Sequence, residues 1–159
     1  MEKQKESHGK EQARLQFETV KALVERIRHI EEEGCGGLCL ISDEQLRAGL
    51  NLHETEDITD EDFEDYHDQE QAREAVQNDP LEVAVRSGWE QPGAELEPAE
   101  YYILLCTGGP AVRITGALDE HGEPVTARLE FQDWFTYWER YPADEQDLLT
   151  YARLFVYNF

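Results

Sequence analysis

The chain has 159 residues and a formal net charge of -22, with 40% hydrophobic, 10% aromatic and 31% charged residues. That length fits one domain, or one domain with an appendage, and the apolar share is enough for a core. Acidity on this scale excludes direct binding to DNA, RNA or an anionic membrane surface, all of which need Lys and Arg to meet phosphate, and it selects partners with basic surfaces.

Residues 1–10 are polar and read as a frayed end with no apolar run of signal-peptide length. No later stretch is long and apolar enough to span a bilayer, so the expectation is a cytoplasmic protein. From Glu11 to Glu33, Phe17, Val20, Leu23, Val24, Ile27 and Ile30 recur at three- and four-residue spacings and predict a helix with one apolar stripe. The run Gly34-Cys35-Gly36-Gly37 ends it. Ser42 with Gln45 three residues later predicts a capping box opening a short helix, with Leu46 and Leu50 facing inward.

The charge then concentrates. Between Glu54 and Asp79 there are twelve acidic side chains and one basic one, Arg73, a net -11. Thr59 followed by Asp60, Glu61 and Asp62 reads as an N-cap with acids in the first turn, where the helix dipole favours them. The pattern predicts one helix from about Asp60 to Gln77, with Phe63, Tyr66, Ala72, Ala75 and Val76 as a thin apolar seam, stopped by Asn78-Asp79-Pro80.

After Pro80 the period changes to two. Leu81, Val83 and Val85 alternate with polar or small residues, and a loop from Gly88 to Pro98 follows. Tyr101 to Cys106 is apolar on both faces and reads as a central strand. Ala111 to Leu118 is a third strand, and Val125 to Gln132 a fourth with the cleanest alternation. Turns this short imply antiparallel pairing, because parallel strands need longer crossovers. Pro142 opens a final helix with Leu148, Leu149, Ala152 and Phe155 inward, although the tail from Phe155 to Phe159 would also fit an edge strand. The expected fold is α+β: N-terminal helices packed with a four-stranded antiparallel sheet and a C-terminal helix. It divides into an acidic helical region, residues 1–79, and a sheet region, residues 80–159, within one compact unit.

Asp60, Glu64 and Asp68 lie four residues apart, as do Asp57, Glu61 and Asp65. On a continuous helix these carboxylates would repeat about every 6 Å, roughly twice the axial rise per nucleotide of a DNA strand. A double row of this kind competes for a phosphate-binding groove through the same counterion release and steering that nucleic acid uses. The plainer reading is a solvated acidic face serving solubility or salt tolerance. The lysines, confined to positions 3, 5, 10 and 21, fit that reading as well. Trp134, Phe135, Tyr137, Trp138 and Tyr141 form an aromatic cluster that reads first as core packed on the sheet, with Trp134 and Trp138 as anchors for a protein partner if exposed.

Cys35, Cys39 and Cys106 are an odd count without a secreted framework and read as reduced thiols. Cys35 and Cys39, with His29 and His53 nearby, lack the usual Cys-x2-Cys spacing, so no metal and no cofactor is expected. The acidic segment lacks the residue order of a calcium-binding loop. No nucleophile elbow, phosphate loop, dinucleotide fingerprint or zinc-protease motif is present, His121 reads as part of a surface turn, and the expectation is a protein that is not an enzyme.

The stretches DPLEVAVRSGW, EYYILLCTGGPAVRITGALDEHGEP, ARLEFQDWF and LLTYARLF, between Asp79 and Phe155, resemble a group of small acidic proteins carried by phages and other mobile elements of proteobacteria. The resemblance covers about half the chain and implies no catalytic residues. It implies a context in which acidic DNA mimics recur as anti-restriction and anti-CRISPR factors. The expectation is therefore a non-enzymatic inhibitor that occupies a basic nucleic-acid-binding protein of the host. The alternative is a mobile-element accessory or scaffolding protein that binds through its aromatic face and is acidic only for solubility.

Overall fold

The computed structural model of the chain describes residues 7–33, 39 and 41–159. The first helix, α1, spans His8–Glu33. Ser7 caps it, its hydroxyl accepting from the Lys10 amide at 3.2 Å. The expected stripe forms: Val20, Leu23, Val24 and Ile27 are buried, with Phe17 and Ile30 packed at the margin of the core. The glycine run after Glu33 lies outside the described residues.

Helix α2, Asp43–Leu50, starts at the expected capping box of Ser42 and Gln45, and closes on Asn51 in the left-handed conformation. Leu46 is buried and Leu50 only half-buried. Where one acidic helix was expected there are two. Helix α3 spans Asp60–Tyr66 and α4 spans Gln69–Asn78. The chain breaks at His67 and Asp68 because Asp68 acts as a second N-cap, its carboxylate accepting from the Gln71 amide at 2.9 Å. An aspartate that bonds the backbone three residues on offers a helix start at that point, and this competes with continuation of the previous helix.

The rest is a meander of five antiparallel strands in sequence order: β1 (Glu82–Ser87), β2 (Pro98–Cys106), β3 (Ala111–Ala117), β4 (Arg128–Gln132) and β5 (Glu139–Tyr141). The sheet exceeds expectation by one strand, β5, which pairs with β4 from Leu129↔Tyr141 to Phe131↔Glu139. The clean alternation at Val125 to Ala127 precedes β4 and joins the sheet through the Leu118↔Pro124 bridge. Strand β2 lies inside the sheet beside the central β3 and buries alternate residues, Tyr101, Ile103 and Leu105. The final helix, α5, spans Glu145–Ala152 behind an Asp144 N-cap, with Leu148, Leu149 and Ala152 buried. The tail is not a strand; it is held by Tyr157, whose ring lies 4.8 Å from that of Tyr101 and whose hydroxyl donates to the Ala152 carbonyl at 2.7 Å.

One face of the sheet (Tyr101, Ile103, Val112, Ile114, Leu129, Phe131) meets α1 and α5, and Ala72 and Val76 of α4 join the same cluster. One core thus draws on both halves of the chain. Arg28 on α1 reinforces the α5 contact through Asp147 at 2.6 Å, and the Gly9 amide at the start of α1 donates to Asp133 after β4 at 2.7 Å. The opposite sheet face is polar. There Glu130 lies between Arg113 at 2.9 Å and Arg128 at 3.2 Å, and the Arg113 guanidinium stacks 4.0 Å over the Trp138 ring.

Asp79, at the end of α4, accepts from the buried Tyr151 hydroxyl at 2.6 Å. Burial raises the Asp79 pKa, and the Tyr151 bond opposes that rise only in part. The folded state therefore holds the Asp79 proton to higher pH than the unfolded chain, so this group's contribution to stability is full in acid and falls as pH rises through its raised pKa. Tyr151→Phe should lose about 1.5–3 kcal/mol at neutral pH, the range for a bond to a charged group, with a smaller loss once Asp79 is protonated. Denaturant melts of both proteins across the carboxylate range check this; an equal loss at every pH contradicts it.

Candidate functional site

Nine of the acidic side chains between Glu54 and Asp79 are exposed; Asp62, Asp65 and Asp79 are half-buried. The ion pairs among the described residues join Arg14 to Glu18, Arg28 to Asp147, Arg73 to Glu31, Arg86 to Glu100, Arg113 and Arg128 to Glu130, and His121 to Glu120. None of them engages an acid of this stretch. Most of the charge of the segment is thus presented to solvent, outside any ion pair among the described side chains.

Several of these carboxylates have local duties. Asp62 accepts from the Thr59 amide and hydroxyl, both at 2.9 Å, to complete a capping box. Asp68 caps α4, and Asp65 accepts from the Gln71 side chain at 3.0 Å. Asp60, Glu61 and Glu64 on α3 and Glu70 and Glu74 on α4 have no such role and point outward. The break at His67 corrects the expected double row. Asp60 with Glu64, and Glu61 with Asp65, keep their four-residue spacing on α3, whereas Asp57 precedes that helix and Asp68 follows it. The phosphate-like repeat is limited to one turn, and the acidic surface is a bent ridge of two helices.

The ridge is fixed from beneath by Arg26 of α1, which is only 3% exposed. Its guanidinium donates to the Tyr66 carbonyl at 2.9 Å, to the Asp65 carbonyl, and to the Gly49 carbonyl at 3.4 Å. These acceptors lie at the C-terminal ends of α3 and α2, where helices leave carbonyls without intrahelical partners and the dipole favours a cation. Burial lowers the Arg26 pKa, and Tyr66, Asp65 and Asp68 work against that shift. Gly49 is required at this corner, since a Cβ there would stand 2.5 Å from the Tyr66 ring. Between α1 and the ridge runs a cleft of about 1000 Å³ whose lining includes Glu18, Asp62, Asp65, Glu74 and Asp79.

The aromatic cluster divides. Trp138 stacks on Arg113 and Tyr141 meets the Phe131 ring edge-on, so these two pack on the sheet as expected. The β4–β5 turn does not pack. Trp134 is 65% exposed, Phe135 99% and Tyr137 93%. This overturns the core reading for three of the five aromatics. The turn closes through the Asp133 amide donating to the Thr136 hydroxyl at 2.9 Å, and Phe135 sits at φ 60, the left-handed region that bulky side chains avoid. Trp134 lies along Gly109 of the β2–β3 turn, where a Cβ would fall 2.7 Å from its ring nitrogen.

Near the far end of α1 a third group collects: His29, Cys39 and His67, with donor atoms all within 4.8 Å of one another. His53, which the sequence placed beside the cysteines, instead bonds Thr55 at 2.8 Å on an exposed loop. Cys35 lies outside the described residues. His67, twenty-eight residues from Cys39, carries no spacing signal that connects the two. His121 is on the surface turn expected of it, its amide bonded to Asp119 at 2.8 Å. No described helix is long and apolar enough to cross a membrane. The chain matches no family model, no curated protein and no solved structure.

Arg26→Met should destabilise the fold by about 3 kcal/mol or more, because it takes the guanidinium from the Tyr66 and Gly49 carbonyls and leaves the Asp65 carbonyl only its bond from the Asp68 amide. Hydrogen exchange should show α3 and the last turn of α2 opening more readily while β2 and β3 keep their protection. Uniform loss of protection would show instead that Arg26 serves the whole core.

Proposed function

We propose that this protein is a non-enzymatic inhibitor that occupies a basic, nucleic-acid-binding surface of a partner protein, with the α3–α4 ridge taking the place of phosphates. The observation that carries this reading is the run of carboxylates between Glu54 and Asp79, mostly exposed and in no ion pair among the described residues. Like charges four residues apart cost an isolated helix a few tenths of a kcal/mol each. They become favourable opposite Lys and Arg, where they gain from Coulomb attraction, counterion release and steering. The acidic cleft beside Arg26 adds a recess in which a partner's Arg or Lys side chain fits between Asp62, Asp65 and Glu74. The partner class, a host defence protein engaged in anti-restriction or anti-CRISPR fashion within the cytoplasm, comes from the resemblance to mobile-element proteins.

The test uses acids without structural duties. Asp60→Asn, Glu61→Gln, Glu64→Gln and Glu70→Gln together should leave the fold within about 1 kcal/mol of the parent, because the repulsion relieved offsets the helix-dipole interaction lost in the first turns of α3 and α4. The same variant should bind its basic partner about tenfold more weakly or worse, a loss of about 1.4 kcal/mol. Parent binding should fall steeply with salt, and duplex DNA should displace the protein. Retained affinity in the four-site variant would end this reading.

The exposed Trp134–Tyr137 turn supports the second reading, an accessory or scaffolding protein that binds through aromatic side chains. Large exposed aromatics are the usual anchors of protein interfaces. Along α1, Gly9 touches the base of this turn and His29 touches the α3–α4 corner, so the two surfaces lie twenty residues, or about 30 Å, apart. They can therefore be disabled separately. Phe135→Asn with Tyr137→Ser should leave the fold intact, since Asn tolerates the left-handed conformation. If the second reading holds, that pair removes binding at high and low salt alike and the four-site acidic variant does not.

A further inference from the structure

We propose that His29, Cys39 and His67 form a binding site for a borderline-soft divalent cation, Zn2+ in the first instance. The residues come from three places: the last third of α1, the segment that follows it, and the α3–α4 corner. His29 Nε2 stands 2.6 Å from Cys39 Sγ and 3.1 Å from His67 Nε2.

Three atoms that can each offer a lone pair to a cation converge here. His67 Nδ1 lies 2.7 Å from the Phe63 carbonyl oxygen, which only accepts, so Nδ1 carries a proton. A neutral His67 then turns a lone pair at Nε2 toward the cluster. His29 Nε2 faces both that lone pair and the Cys39 sulfur, so the three atoms point at one small volume. A cation placed among the three atoms would be met by a lone pair from each. Fixing a ligating imidazole through a carbonyl on its other nitrogen is the usual support for a metal-bound histidine.

The spacing and chemistry agree. Tetrahedral zinc with ordinary bond lengths sets two imidazole nitrogens about 3.3 Å apart and a nitrogen and a thiolate sulfur about 3.5 Å apart. The two nitrogens are already near that separation, and Sγ needs to retreat by about 1 Å, a small side-chain rotation. Two imidazoles and a thiolate select Zn2+ over Ca2+ or Mg2+, which require oxygen ligands. One thiolate leaves the site with a net positive charge beside a segment of net -11, so the surroundings favour occupancy. Three protein donors leave a fourth position for water or another ligand. The bound ion would fasten the end of α1 to the corner at which the acidic ridge bends.

Cobalt(II) serves as the spectroscopic probe on the full chain, after chelation and without other metals. The parent should take up one equivalent and show intense visible bands of a tetrahedral site together with a thiolate-to-cobalt band in the near ultraviolet. Zn2+ should displace it and raise the melting temperature. Cys39→Ser should remove the thiolate band, and His29→Gln or His67→Gln should weaken Zn2+ about tenfold or more; His53→Gln and Cys106→Ser should behave as the parent. Failure to take up cobalt, or weak pink uptake without the thiolate band, as scattered carboxylates would give, overturns the proposal. The parent spectrum decides this even if a variant does not fold.

Discussion

A single guanidinium organises the acidic half of this molecule. Arg26 reaches from the buried face of α1 into the ends of two short helices and serves both as a shared C-terminal cap. A buried Arg is costly unless its donors are satisfied, and here they are met by carbonyls instead of carboxylates. Had Arg26 paired with Asp65 or Asp68 directly, one acid would have been drawn inward and its charge lost to the surface. Bonding the backbone leaves the carboxylates outside while their helices are held down. The positive charge beneath also lies where the dipoles of α2 and α3 end, so the same cation offsets two partial negative charges and part of the field of the ridge.

The ridge therefore contains acids of two kinds. Asp62 and Asp68 define where helices begin, and their carboxylates are committed to backbone amides. Asp60, Glu61, Glu64, Glu70 and Glu74 contribute little that the fold requires. Stability alone does not explain their accumulation, since each added neighbour raises the repulsion. Their presence is a property of the surface, which is why the functional reading rests on them. The aromatic turn presents a similar excess at the other end of α1. A phenylalanine held in the left-handed region and fully exposed has neither a packing nor a conformational reason to be there.

Much of this was legible in the sequence. The stripe of α1, the boxes at Ser42 and Thr59, and the period-two strands from Glu82 onward are local patterns, and local patterns survive without tertiary information. The break at Asp68 has its own local sign, an Asp three residues before a Gln, but in a stretch so rich in acids a capping Asp does not stand out from its neighbours. Strand β5 has three residues and exists only because β4 offers it an edge, so no periodicity betrays it. Composition favours burial of large aromatics and so carries no sign that Trp134 and Phe135 are exposed; the tight Asp133–Thr136 turn decides that. The grouping of His29, Cys39 and His67 depends on how α1 and the α3–α4 corner dock, which spacing along the chain does not encode.

The sheet pairs each strand with its neighbour in sequence, so its contacts are short-range and close early. Helix α1 is different. Its first turn is anchored to Asp133, 124 residues downstream, and its buried face rests on β3, β4 and α5. As the chain leaves the ribosome, α1 and the acidic helices emerge before the sheet, and the part of α1 that rests on β3, β4 and α5 waits until most of the sheet has followed. During that interval the sheet-facing part of the α1 stripe is uncovered, next to a segment whose dense charge discourages self-association. The acids that crowd residues 54–79 thus lie where a nascent chain most needs to stay apart from its copies.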